Sequence, residues 1–308
     1  MLKMDAVQKR LIAEVADLHD VPMGAYNFRA NSKLAGRNTT ANIDIRSKED
    51  GSGIDIFIKP NTKNESVHIP VVLSASGIKE TVYNDFYVGE GADVVIVAGC
   101  GIDNCGTQDS EHDGVHRFFL EKGAKVKYVE KHYGSGTGEG KRILNPVTEA
   151  TLAENSSMEM EMVQIKGVDS TDRMTRATLA EGARLVVRER LMTHGDQTAE
   201  SVYRVRLNGD GSSADVVSRS VARDTSYQKF DARIDGNASC TGHTECDSII
   251  MDKGRILAVP SLEANCVDAQ LVHEAAIGKI AGDQLIKLMT LGLSEQEAEE
   301  QIINGFLK

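Results

Sequence analysis

The chain has 308 residues, with 35 Lys+Arg against 46 Asp+Glu and a formal net charge of −11. That length gives ample core for one large domain or two modest ones, and the acidic balance argues against general binding to nucleic acid or anionic membranes. Only 5% of residues are aromatic, none is Trp, and no run approaches the roughly 18 to 20 apolar residues of a transmembrane helix.

The start, Met1-Leu2-Lys3-Met4-Asp5, carries charges and no apolar stretch, so it does not read as a signal peptide. Five cysteines, an odd number in a long chain, point to reduced thiols and a cytoplasmic protein rather than a disulfide framework. Asp5 to Asp20 places Val7, Leu11, Val15 and Leu18 at steps of three and four, predicting an amphipathic helix that ends before Pro22. Short strand-like runs follow at Ile43–Ile45, Ile54–Ile58, Val67–Leu73, Val94–Val97, Val126–Val129, Met158–Val163, Leu185–Val187, Val202–Val205 and Ile249–Met251. Near the end, Asp283–Leu291 is a short striped helix closed by Gly292. Ser294 with Glu297 forms a capping box for a last helix striped by Ala298, Ile302 and Phe306 and fraying at Gly305.

The separators between strands recur. Gly89-Glu-Gly-Ala-Asp-Val-Val, Glu121-Lys-Gly-Ala-Lys-Val-Lys, Glu181-Gly-Ala-Arg-Leu-Val and Gly211-Ser-Ser-Ala-Asp-Val-Val share one shape at a spacing of roughly 30 residues, one or two coils of a solenoid. Asn237-Ala-Ser and Lys253-Gly-Arg-Ile-Leu look like degenerate copies. A sandwich would usually bury a Trp or Tyr layer, whereas a solenoid stacks small and β-branched residues. The expectation is a mainly β protein, a parallel β-helix flanked by helices: residues 1–24 an N-terminal helix, 25–275 the β-helix core and 276–308 a C-terminal helical region.

Two segments could carry chemistry. Gly99 to His116 holds Cys100, Cys105, His112 and His116 among acids, soft donors suited to iron or zinc, although Cys-x4-Cys-x6-His-x3-His matches no zinc module. The structural alternative is a Gly-rich solenoid turn whose Cys and His fill small inward positions. Cys240 to Asp247 holds Cys240, His243, Glu245 and Cys246. On strand alternation the two cysteines share one face and His243 and Glu245 the other, so one strand cannot aim all four at one metal. Cys266 and the pair His273-Glu274 follow. Gly134-Ser-Gly-Thr-Gly-Glu-Gly140 has no strand–loop–helix context or following Ser/Thr for a P-loop and reads as a flexible turn. Arg173, Arg176, Arg184, Arg188 and Arg190, interleaved with Glu181 and Glu189, read as a solvated strand face. A carbohydrate-active β-helix enzyme lacks its aromatic groove and a convincing carboxylate pair here.

Thr244-Glu-Cys-Asp-Ser-Ile-Ile, Val259-Pro260, Glu263, Asp268-Ala-Gln-Leu-Val-His-Glu-Ala-Ala-Ile-Gly-Lys-Ile, Asp283-Gln-Leu and Asn304-Gly-Phe resemble the SufB/SufD family. Upstream, Gly106–His116 and Lys127–Tyr133 resemble its short, single-subunit SufB-like branch. The resemblance implies a right-handed parallel β-helix acting as the scaffold of a SUF-type complex that assembles and transfers nascent iron–sulfur clusters. The scaffold would be non-catalytic and bind no nucleotide, with ATP hydrolysed by a SufC-like ABC ATPase. It implies ATPase docking through the C-terminal helices, with Asp283, Leu285, Leu288, Leu293, Ala298, Ile302 and Phe306 as candidates. Pairing would be with a second copy or a SufB/SufD paralogue, and a sulfur donor and apo client proteins would be further partners. Candidate ligands to a transient cluster are Cys246, His273 and Glu274, then Cys100, Cys105, Cys240 and Cys266. Larger members carry a Cys before the Val-Pro step where this chain has Lys253-Gly-Arg-Ile-Leu, a Glu at the Val272 position, and a sulfur-entry Cys near Ala153. A non-cluster-binding, SufD-like partner of the ATPase is the alternative.

Overall fold

The computed structural model describes residues 4–308. Helix α1 spans Ala6–Ala16, α2 Gly282–Thr290 and α3 Glu295–Phe306, and the chain between α1 and α2 is almost entirely strand. From Lys79 onward, successive long strands alternate between two sheets, each pairing in parallel with neighbouring coils of its own sheet. The result is a parallel β-helix, each coil giving one long strand, or two short ones, to each sheet. In-register partners such as Thr81 and Asp113, or Arg176 and Glu149, lie 32 and 27 residues apart. The recurrence of roughly 30 residues is therefore one coil.

The repeated separators are stacked corners. Gly91, Gly123, Asn155, Gly182 and Gly211 all have positive φ, and each N–H donates to a carbonyl of the next coil's corner at 2.7 to 2.9 Å. The small residue that follows points inward and is buried: Ala92, Ala124, Ser156, Ala183 and Ser212. Inward positions then form ladders along the bore. In the second sheet Ile56, Phe86, Phe118, Ala150, Ala177, Val205 and Ile234 stand in register. Phe86 and Phe118 stack with centroids 4.5 Å apart.

Two antiparallel pairs, Ala25–Ala30 with Lys33–Asn38 and Ile43–Ser47 with Gly53–Ile58, start the solenoid. Helix α1 begins with a capping box of Asp5 and Gln8 and buries Leu11, Ile12 and Val15. It lies on the strand Asp93–Asp103, where a side chain at Gly99 would come within 2.3 Å of the Val15 carbonyl oxygen. The far end is open. Among the described residues no coil stacks on Arg255–Ala264 or Gln270–Gly278, so Leu262 and Leu271, which continue the buried ladders, remain partly exposed.

Several expectations change. Most anticipated strands run to ten or eleven residues, and Val67–Leu73 divides at Pro70 into Lys63–His68 and Val71–Leu73. Ile249–Met251 is the tail of Thr241–Ile250 rather than its own strand. Gly99 to His116 is not a turn but strand, tight loop and strand, with His112 and His116 on Ser110–Leu120. The glycine-rich turn is packed rather than loose: a Cβ at Gly136, Gly138 or Gly140 would come within 2.1 to 2.2 Å of backbone in the loop Asn104–Gln108. Arg173 leaves the predicted solvated face, since it is 3% exposed and paired with Glu130. Helix α3 is helical through Gly305 and buries Ala298 and Ile303, Leu307 following, so the buried stripe is one residue off the predicted Ile302 and Phe306.

Candidate functional site

The end of the solenoid gathers the C-terminal candidates on two faces. Cys246 points inward, 1% exposed, with its sulfur 3.6 Å from Ser248 Oγ. His273 occupies the inward ladder Ile96, Tyr128, Met160, Val187, Val216 and Thr244, its last member on the final strand. Its Nδ1 lies 2.8 Å from Thr244 Oγ1. Burial holds the imidazole below its ordinary pKa, so it is neutral and able to ligate. Glu274, one residue on, points outward, as strand alternation requires. It sits opposite Glu245, and its Oε2 is 4.0 Å from His243 Nε2.

The other cysteines are dispersed. Cys240 fills the inward corner that Ala or Ser occupies in earlier coils, and burial, followed by Cys266 at the next corner, pushes its thiol up. Cys266 is half-buried there. Cys105 is exposed in the loop after Asp93–Asp103, its Sγ 3.3 Å from Asp103 Oδ1. Cys100 is buried several coils from Cys246. The structure thus places Cys246 and His273 in neighbouring inward ladders on adjacent strands, sets Glu274 on the outer face, and leaves Cys100 and Cys105 far away.

Cys100 belongs to a polar network that the sequence did not reveal. Glu80 and His112 are cross-strand neighbours in one sheet, and Cys100, His132 and Gln164 form a ladder in the other. His112 Nδ1 is 3.1 Å from Glu80 Oε1, which Arg29 also engages through the second carboxylate oxygen at 3.0 Å. Burial pushes the Cys100 thiol up, but the imidazoles of His112 and His132 outweigh it and bring it to about 7. Burial pushes His112 down, and the Cys100 thiolate and Glu80 raise it to about 10. At neutral pH His112 is therefore imidazolium, and Cys100 sits near its midpoint between thiol and thiolate. Deeper along the bore Arg173 bridges Glu130 and, at 3.8 Å, Glu189, which accepts hydrogen bonds from Ser201, Tyr203 and Ser218 at 2.6 to 2.9 Å. The inward ladder Glu130, Met162, Glu189, Ser218, Cys246 carries this polar lining to the open end.

On the outer face, α3 packs Ile303 and Leu307 against Val221, beside Met192 and Ile249. The chain end at Lys308 reaches a shallow groove of ≈440 Å³ that Arg188, Asp215, His243 and Glu245 also line. Helix α2 buries no residue. Leu285, Leu288 and Leu293 are half-covered, Asp283 is exposed, and Ile286, Met289 and Leu291 are exposed apolar neighbours. Among the described residues no helix is long and apolar enough to cross a membrane.

These features define a class of protein: a two-sheet parallel β-helix with an open, thiol- and imidazole-bearing end and a helical arm beside it. Residues 79–306 match the family model for the SufBD core domain of the SUF system for FeS cluster assembly. The chain belongs to that SufBD family. Relatives include a SufBD family iron–sulfur cluster assembly protein of Methanothermobacter thermautotrophicus (strain Winter), 30% identical over 233 residues, 75% of this chain and 56% of the relative. One from Pyrococcus horikoshii is 27% identical over 285 residues, 90% of this chain and 85% of its own. The iron–sulfur cluster assembly protein SufB of Bacillus subtilis is 29% identical over 230 residues, 72% of this chain and 47% of its own. The chain thus spans about half the length of the first and last of these relatives.

Proposed function

We propose that this chain is the scaffold subunit of a SUF-type complex, holding a nascent iron–sulfur cluster at the open end of its β-helix and releasing it to apo client proteins. The observation that carries the reading is the placement of Cys246 and a neutral His273 in neighbouring inward ladders of a SufBD core's last two strands in one sheet. Thiolate and imidazole are the donors that iron–sulfur clusters take, and a thiol-poor shell favours release over storage. A single chain supplies too few inner ligands for a cluster. The exposed backbone edges and apolar residues of Arg255–Ala264 and Gln270–Gly278, Leu257, Val259 and Leu262 among them, suit pairing with a second copy, or with a SufB/SufD paralogue, that would complete the shell.

The subunit itself hydrolyses no ATP in this reading. A SufC-like ABC ATPase docks on the half-covered apolar side of α2, with Leu285 and Leu288, on Leu293 in the turn that follows, and on α3, with Ile302 and Phe306. The test is co-expression with the ATPase, anaerobic purification, and assay of bound ATPase, iron and acid-labile sulfide. Wild type is expected to retain all three, and Leu285→Asp/Leu288→Asp to lose the ATPase while circular dichroism stays unchanged. ATPase retained at wild-type level would refute docking on this helix. A SufD-like, cluster-free role is the second reading, favoured by the presence of one inward strand thiol, Cys246, at the open end. An ATPase-bound complex without iron and sulfide would select it.

A further inference from the structure

We propose that His243, Glu245 and Glu274 form a mononuclear site for a divalent first-row cation on the outer face of the solenoid's end, separate from the inward Cys246 and His273. Their ligating atoms lie within 4.8 Å of one another. His243 and Glu245 are two residues apart on one strand, and Glu274 is directly opposite Glu245 on the next, so one sheet face presents all three.

Two observations set this group apart from an ordinary acidic surface. The first is the imidazole's orientation. His243 Nδ1 is 2.8 Å from Asp215 Oδ1, and Asp215 is held in turn by Arg188 at 2.5 Å. That leaves Nε2 facing the two glutamates, the carboxylate–histidine arrangement that positions imidazole ligands. The second is a like-charge pair across the strands. Elsewhere on the outer faces, the like-charge cross-strand pairs Asp55–Asp85 and Asp235–Glu263 each share a cation, Lys48 and Arg233 respectively. Glu245 and Glu274 face each other, and among the described residues neither makes a salt bridge to Lys or Arg, although the field of Arg219 reaches Glu245; the pairing is unfavourable without a closer cation.

One imidazole and two carboxylates form a hard-to-borderline donor set with room for water, suited to Fe²⁺ or Mn²⁺ rather than to a thiolate-bound cluster. Glu274, with a side chain 66% exposed, is free to swing in and close the site. The identification of the physiological cation as ferrous iron rests on the scaffold reading above; the site itself does not. Iron held outside the wall, next to the strand that carries the inner ligands, would be a supply position for cluster building.

The test uses Mn²⁺ alone, titrated into the full chain without ATPase or sulfide and followed by electron paramagnetic resonance. Wild type is expected to bind one Mn²⁺ per chain. Glu245→Gln/Glu274→Gln should abolish that binding, and His243→Ala should weaken it by about tenfold or more. Cys246→Ser should leave it unchanged, with circular dichroism verifying each fold. Undiminished binding in the double glutamine variant, or no binding by wild type, overturns the proposal. Neither result touches cluster assembly, which is read separately by bound iron and sulfide.

Discussion

A β-helix bore is normally apolar, and here it is lined on one side by charges that must compensate one another. Arg173 between Glu130 and Glu189 is such an arrangement, and removing one member would strand a buried charge. The most exposed consequence is acid sensitivity. His116 is 4% exposed, its Nδ1 2.6 Å from Tyr128 Oη, and burial, aided by the nearby cations, lowers it to about 4. A histidine whose folded pKa is depressed stabilises the fold above its ordinary value of 6.5, and that stability is lost as pH falls from 6.5 toward 4. Glu80, held at about 2 because His112 and Arg29 outweigh burial, adds a second loss between pH 4.5 and 2. Thermal melts should therefore show Tm falling already below pH 6.5. His116→Gln should reduce the fall between 6.5 and 4, leaving the share of His68 and His273, which burial also depresses, and keep the lower interval; an unchanged slope there would rule out His116 as a cause. Little of this network was legible. Glu130 and Arg173 look like surface charges in sequence, and only the inward parity of their strands, with the 43-residue separation closed by the coil, reveals them as partners. The outward face of His243 and Glu245 was readable from alternation, but Glu274 joins them through a register the sequence does not spell out.

At the scale of elements, the separators carried most of the readable signal, because a left-handed residue, Gly or Asn, followed by a small inward residue recurs at these corners whatever the strands contain. The strands of the second sheet were harder to see. In Tyr227–Gly236, outward Lys229, Asp231, Arg233 and Asp235 dilute the apolar pattern that marks a strand, and in Arg255–Ala264 Pro260 interrupts it. Glycines with two different jobs also look alike in sequence. Gly123 has φ +65° and nothing within 4 Å of where a methyl would stand, whereas Gly136 has φ +103° and would drive a methyl to 2.2 Å from the Asn104 carbonyl oxygen. Gly123→Ala should cost about 1 kcal/mol, the conformational penalty alone. Gly136→Ala should cost more than about 2 kcal/mol, because backbone must also move. Urea unfolding of the two variants measures the difference, and equal losses would mean that the loop yields without resistance.

For the whole molecule, the solenoid has one end closed by antiparallel pairs, with α1 on the flank of the neighbouring coils, and the other left open with its ladders interrupted. That asymmetry concentrates chemistry at the open end: the inner ladders finish at Cys246 and His273, the outer face presents His243, Glu245 and Glu274, and the helical arm lies alongside. The general architecture was legible from the repeat, and the family from the last coils. The division of His273 and Glu274 between two faces needed the strand geometry. The central claim is that the inward Cys246 and His273 ligate a cluster, and Mössbauer spectroscopy of ⁵⁷Fe-labelled protein, co-expressed with its ATPase and purified without oxygen, tests it most directly. The account predicts cluster-type iron in wild type that disappears in Cys246→Ser/His273→Ala, with the complex still assembled. Cluster signals of wild-type intensity in that double variant, or an intact complex without cluster iron in wild type, would contradict it.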